Sequence, residues 1–181
     1  MTNFSKGSIE FLTVAVEFCR YIEQPDTERN IFLDKMSKLL PLIYMKAAMV
    51  KPGKPVYDDE PEKSVDENSY EAVRGDVMGI LGDSDQYLSA VHPDIAMSDS
   101  VIAASISEDI ADVYQSLADF AAAARIGNED LMNDALIVCI NDFRTYWGTR
   151  LLSATLAIHQ ILSNSFDSEE EPTVKTDPFL L

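Results

Sequence analysis

Between Ser98 and Ala124 the chain carries Asp99, Glu108, Asp109, Asp112 and Asp119 and no lysine or arginine. Glu108 and Asp112 are four apart, so on a helix they share a face, where like charges cost a few tenths of a kcal/mol. Such a pair calls for compensation from a neighbouring element. If this segment and the next form an antiparallel hairpin about Gly127, Asp112 lies level with Asp142 and Glu108 with Tyr146, with Arg144 between them. Three chemistries fit that arrangement. Glu108, Asp112 and Asp142 can serve as oxygen ligands to Mg²⁺ or Mn²⁺, the arrangement of carboxylate-rich helical phosphohydrolases. An ion-pair network is the preferred alternative: Arg144, with Arg150 or Arg20, neutralises the acids and fixes how the helices pack. The third is a solvated face. Tyr114, Tyr146 and Trp147 sit beside the acidic turn as large side chains with polar handles, suited to core packing or, secondarily, to a small-molecule pocket.

Other catalytic classes find little to work with. Asp134 precedes Asp142 by eight residues, about 12 Å along a helix axis, and cannot join the same ion. No Glu-x-x-His pair occurs, which argues against a ferritin-like di-iron centre. The only histidines are His92, in front of Pro93, and His159, near the apolar edge of the last helical segment; neither is set against a nucleophile. Gly-rich phosphate-cradling loops are missing. Cys19 and Cys139 fall on apolar faces without CxxC spacing and read as buried thiols, not as a disulfide or metal site.

Composition narrows the partners. The formal charge of −17 on 181 residues repels phosphate backbones and anionic bilayers, so nucleic-acid and membrane partners are not expected. The apolar run beginning at Ile9 is interrupted by Glu10, Glu17 and Arg20, so it is neither a membrane span nor a signal-peptide core. The cytoplasm is the expected compartment.

The elements that must position these residues follow from apolar spacing of three and four. A first helix runs from about Ser8 to Glu23 and ends at Pro25. A second carries Phe32, Met36, Leu39, Ile43 and Ala47, starts from a cap at Asp26 or Thr27, and is expected to kink between Ser37 and Pro41. Residues 51–68, with three prolines and six carboxylates, read as a solvated acidic loop. Ser64 to Glu67 reads as a capping box, opening a helix through Tyr70, Val73 and Val77 that stops at Gly82. A short turn spans Gln86–Val91. The fourth helix opens at Ser98 or Ser100, includes Ile102, and closes at Gly127. Asn128 caps a fifth, whose stripe Leu136, Ile140, Phe143, Trp147, Leu151, Ala154 and Ile158 keeps phase through Gly148, so the helix is kinked there or turns back in a hairpin. From Ser165 the composition turns acidic, and residues 165–181 read as a disordered tail, Asp167–Pro172 especially. The terminal Asp177–Leu181 also has the form of a short peptide ligand. The whole predicts an all-α fold, an antiparallel bundle of five to six amphipathic helices forming a single domain over residues 1–164.

Three segments, Ile106–Gln115 (ISEDIADVYQ), Asn133–Ala135 (NDA) and Phe143–Leu151 (FRTYWGTRL), together with Val16–Cys19 and Leu39–Leu42, resemble the bacterial domain of unknown function numbered 5063, frequent in Bacteroides-type bacteria. The resemblance spans roughly residues 4 to 163 and leaves the acidic loop and the tail outside its motifs. It implies a stand-alone, mainly helical cytosolic protein and carries over no catalytic role. The function expected is therefore a non-catalytic interaction or regulatory module, its acidic surface suited to a basic protein partner and needing no cofactor. The rival is a Mg²⁺- or Mn²⁺-dependent hydrolase of nucleotides or other phosphorylated small molecules; a nucleic-acid mimic, suggested by charge alone, comes third.

Overall fold

The structure, a computed structural model, describes residues 4–89 and 101–169, with side chains as far as Ser165. Six helices make up most of it: α1 (Lys6–Ile22), α2 (Arg29–Met49), α3 (Glu67–Leu81), α4 (Ile106–Arg125), α5 (Glu129–Asp142) and α6 (Gly148–Glu169). The fold is mostly all-α, as the apolar spacing predicts, and one buried apolar cluster runs from Phe11 through Leu117 to Ile158.

Helix α4 is the axis of the bundle, packed against α1, α3, α5 and α6 at once, while α2 lies on α1 and α6. A helix with neighbours on most sides is buried nearly all round. Ile106, Ile110, Val113, Leu117 and Phe120 fill the core, and Ala111 and Ala121 allow close approach on other faces. The same enclosure takes Asp109 and Asp112 out of water. A buried carboxylate must find donors or a cation, and this requirement shapes the surroundings of both acids.

Several boundaries differ from those expected. Ile102–Ser105 is not the first turn of α4 but strand β2, paired antiparallel with β1 (Gln86–Ser89), Tyr87 opposite Ala104. A tertiary contact sets the helix start. Asp85, buried at the end of a 3₁₀ turn (Gly82–Asp85), accepts hydrogen bonds at 2.7 Å from both the Ser107 backbone N–H and the Ser107 hydroxyl. It thus caps α4 from a residue twenty-two positions away, a contact invisible to local spacing. Helix α3 is capped by Asp66, whose carboxylate accepts from the Ser69 N–H, and not by Ser64; α2 follows Glu28, which makes no side-chain cap. Asp26, which with Thr27 is one of two expected caps, pairs with Lys35 instead. Helix α2 continues through Pro41 to Met49.

At Gly148 the chain does not turn back. Phe143–Trp147 forms one π-helical turn between α5 and α6, and the Gly148 N–H donates to the Phe143 carbonyl. A Cβ on Gly148 would lie 2.4 Å from that oxygen, so the bulge requires glycine. Gly127, at φ +76°, supplies the left-handed residue that closes α4. Helix α6 runs on to Glu169, so residues 165–169 are helical where a tail was expected; His92 and residues 170–181 lie outside the described residues.

Candidate functional site

The carboxylates of α4 gather partners from several elements. Asp112 accepts hydrogen bonds from the hydroxyls of Tyr70 on α3 (2.9 Å) and Tyr146 in the π turn (2.8 Å). Asp109 accepts from the hydroxyl of Tyr87 on β1. Arg150 of α6 lies between the two acids, its Nη1 3.4 Å from Asp109 and its Nε 3.6 Å from Asp112. Its guanidinium also rests over the Tyr146 ring, 5.6 Å from the centroid. One cation thus serves two acids, and tyrosine hydroxyls supply the remaining donors. Burial pushes the Asp109 carboxyl up to about 7, against the opposing pull of the Tyr87 hydroxyl and of Arg150, with Asp112 adding to the rise. Burial and the Asp112 carboxylate raise the Tyr146 hydroxyl to about 12, which keeps it a donor.

Arginine therefore does occupy the α4 acids, but through Arg150 and not Arg144, which is exposed. Level pairs across α4 and the α5–α6 arm of the hairpin fall one turn further on than Gly127 symmetry suggests: Tyr146 meets Asp112 where Glu108 was expected. Trp147 is fully buried, its indole N–H donating to the Cys139 carbonyl at 3.0 Å. Cys19 and Cys139 are free, buried thiols.

Two further carboxylates hold the acidic loop. Asp134 accepts from the backbone N–H groups of Val56 (2.9 Å) and Tyr57 (2.7 Å), while its neighbour Asn133 donates to the Lys54 carbonyl at 2.8 Å. Burial would raise the Asp134 carboxyl, but the N–H groups of Tyr57 and Val56 and the Asn133 amide outweigh it and hold it below its ordinary value. Asp119 accepts from the Ser64 and Val65 N–H groups at 2.7 and 2.9 Å. A loop expected to be merely solvated is clamped at both ends. The segment Asn133–Ala135, singled out by resemblance alone, gains a physical role as one of those clamps.

Asp142 stands apart from all of these. It lines a cleft of about 120 Å³ with Glu60 and Lys63 of the loop, Gln115 and Asp119 of α4, and Tyr146. Its half-buried carboxylate makes no hydrogen bond or ion pair among the described residues. Burial raises its pKa; Lys63 opposes the rise, and Glu60 and Asp119 add to it. Glu108 is exposed on α4. Glu108, Asp112 and Asp142 are thus not brought together, and among the described residues no group of three or more His, Cys, Asp or Glu is placed to hold a metal ion. Tyr87 and Asp85 are site residues that spacing does not single out, and spacing places Tyr70 in an apolar stripe with no role toward Asp112; each reaches α4 through tertiary folding, which leaves no periodic signal.

A helical bundle organised around a buried, fully partnered carboxylate pair and a clamped acidic loop defines a small helical domain whose motif residues build its scaffold. The chain belongs to the family described as domain of unknown function DUF5063, whose model matches residues 2–164. It is also similar to the crystal structure of a Bacteroides fragilis protein determined by a structural genomics consortium. The two share 35% identity over 95% of this chain and 98% of that one, with a TM-score of 0.75. No curated protein matches the chain. Among the described residues, no helix is long and apolar enough to cross a membrane.

Proposed function

We propose that this domain is a non-catalytic protein-interaction module that receives a basic side chain of its partner in the cleft beside Asp142. The unpartnered Asp142 carboxylate carries this reading. Asp85, Asp109, Asp112, Asp119 and Asp134 all have a direct donor or ion pair, whereas Asp142, at the wall of an open cleft, has only the longer-range pull of Lys63. A carboxylate whose charged form is disfavoured by burial and by two acidic neighbours gains most from an incoming ammonium or guanidinium. Size supports a side chain over a metabolite, because about 120 Å³ is well below the roughly 300 Å³ at which small-molecule pockets begin. The exposed Asp58, Asp59, Glu60 and Glu62 rim the same end and would steer a basic surface towards it.

The Mg²⁺- or Mn²⁺-dependent hydrolase finds less support, because Asp112 is engaged by two tyrosines and Arg150 and Asp142 lies in a separate cleft. The test is titration with short arginine- and lysine-containing peptides, followed by amide NMR shifts. Shifts centred on Gln115, Val138 and Asp142 that vanish in Asp142→Asn and weaken with salt are expected. Peptide shifts unchanged by Asp142→Asn, or a melting temperature raised by millimolar Mg²⁺ and insensitive to peptide, would reverse the assignment.

A further inference from the structure

We propose that the uncharged outer face of α6, together with β1, is a self-association surface through which two copies of this chain pair. Leu88, Leu152 and Leu156 are 74%, 47% and 58% exposed, and they line one groove of about 520 Å³ with Tyr87, Thr149 and Gln160. Leu152 and Leu156 are four apart, with Thr149 and Gln160 continuing the same stripe, so α6 buries one face in the core and presents a second to solvent.

Charge selects the occupant. From Leu151 to Ser165 there is no Asp, Glu, Lys or Arg, fifteen residues or about 22 Å of helix, and β1 is uncharged as well. Copies of a molecule with a formal charge of −17 repel each other wherever their acidic faces meet. A neutral apolar face is where contact brings no carboxylates together. A basic partner, in contrast, gains nothing here and is drawn to the acidic loop and the Asp142 cleft. A two-fold contact is self-complementary, so the leucine stripe of one copy meets the same stripe of the other. One stripe and a short strand make an interface at the small end of the range, so the dimer is weak and concentration-dependent.

Sedimentation velocity on the full chain, from low micromolar to near-millimolar concentration, tests this. The mass should rise towards that of a dimer, and added salt should strengthen association by screening the repulsion between copies. Salt weakens the cleft reading's basic contacts, so the two readings fail separately. Leu156→Glu should need at least ten-fold more protein to associate, and Leu152→Gln should show a smaller shift in the same direction. Met45→Gln, at an exposed position on α2, leaves the charge unchanged and should behave as the parent. Circular dichroism reports whether each variant is folded; if Leu156→Glu unfolds, Leu152→Gln decides. A parent chain that stays monomeric at every concentration, or folded leucine variants that associate as it does, overturns the proposal.

Discussion

Arg150 Nη1 lies 3.4 Å from Asp109 Oδ1 at a point where the arginine side chain is 17% exposed and the aspartate 1%. This contact joins α6 to the central helix and is the sole cation serving two buried acids among the described residues. Arg150→Met would leave both carboxylates without it, and breaking a buried pair from one side costs on the order of 3 kcal/mol. Urea denaturation at neutral pH measures that loss. Asp112→Asn in the same background should recover part of it by removing a carboxylate that has lost its cation.

The same acid sets a pH dependence. The Asp109 carboxyl, at about 7 in the folded chain, lies above its ordinary value of 3.8. Between those values the native state holds the proton that the unfolded state has released. Its contribution is therefore complete below the unfolded pKa and lost as pH rises through about 7. Unfolding free energy followed from pH 5 to pH 8 should fall in the parent and lose that component of the slope in Asp109→Asn.

Asp134→Asn tests the loop clamp. The amide replaces a carboxylate that accepts two backbone N–H groups, and each lost bond to a charged acceptor is worth about 1.5–3 kcal/mol. Hydrogen exchange at Val56 and Tyr57 should accelerate, and proteases should cut within residues 51–66, while amides of α4 keep their protection. The Asp134 carboxyl is held below its ordinary value, so its contribution is present above the unfolded pKa and lost as pH falls through the folded one.

Gly148→Ala tests the π turn. The added methyl would meet the Phe143 carbonyl at 2.4 Å and its ring at 2.9 Å, so the turn must open or revert to α-helical register. Reversion rotates α6 by about 100°, the angle of one residue, and carries Arg150 away from Asp109 and Asp112. A loss of about 3 kcal/mol, at the top of the range for overpacking, should appear in denaturant melts. If the variant is as stable as the parent, the glycine is not what sustains the bulge.

Apolar spacing alone determined the helical class, the approximate helix centres, the burial of both cysteines and the stop at Gly127, because each depends on residues within one or two turns of each other. It also marked the α4 acids as needing partners, since an unneutralised like-charged pair is a local fact. Which residues answered that need was decided by tertiary structure alone. Tyr70, Tyr87 and Arg150 come from distant elements, Asp85 caps a helix it does not belong to, and Asp134 captures a loop some seventy-eight positions away. The π turn shows the physical reason most directly. A single inserted residue changes the phase of every later residue in the helix, Arg150 among them, while the apolar stripe still reads through it as one helix.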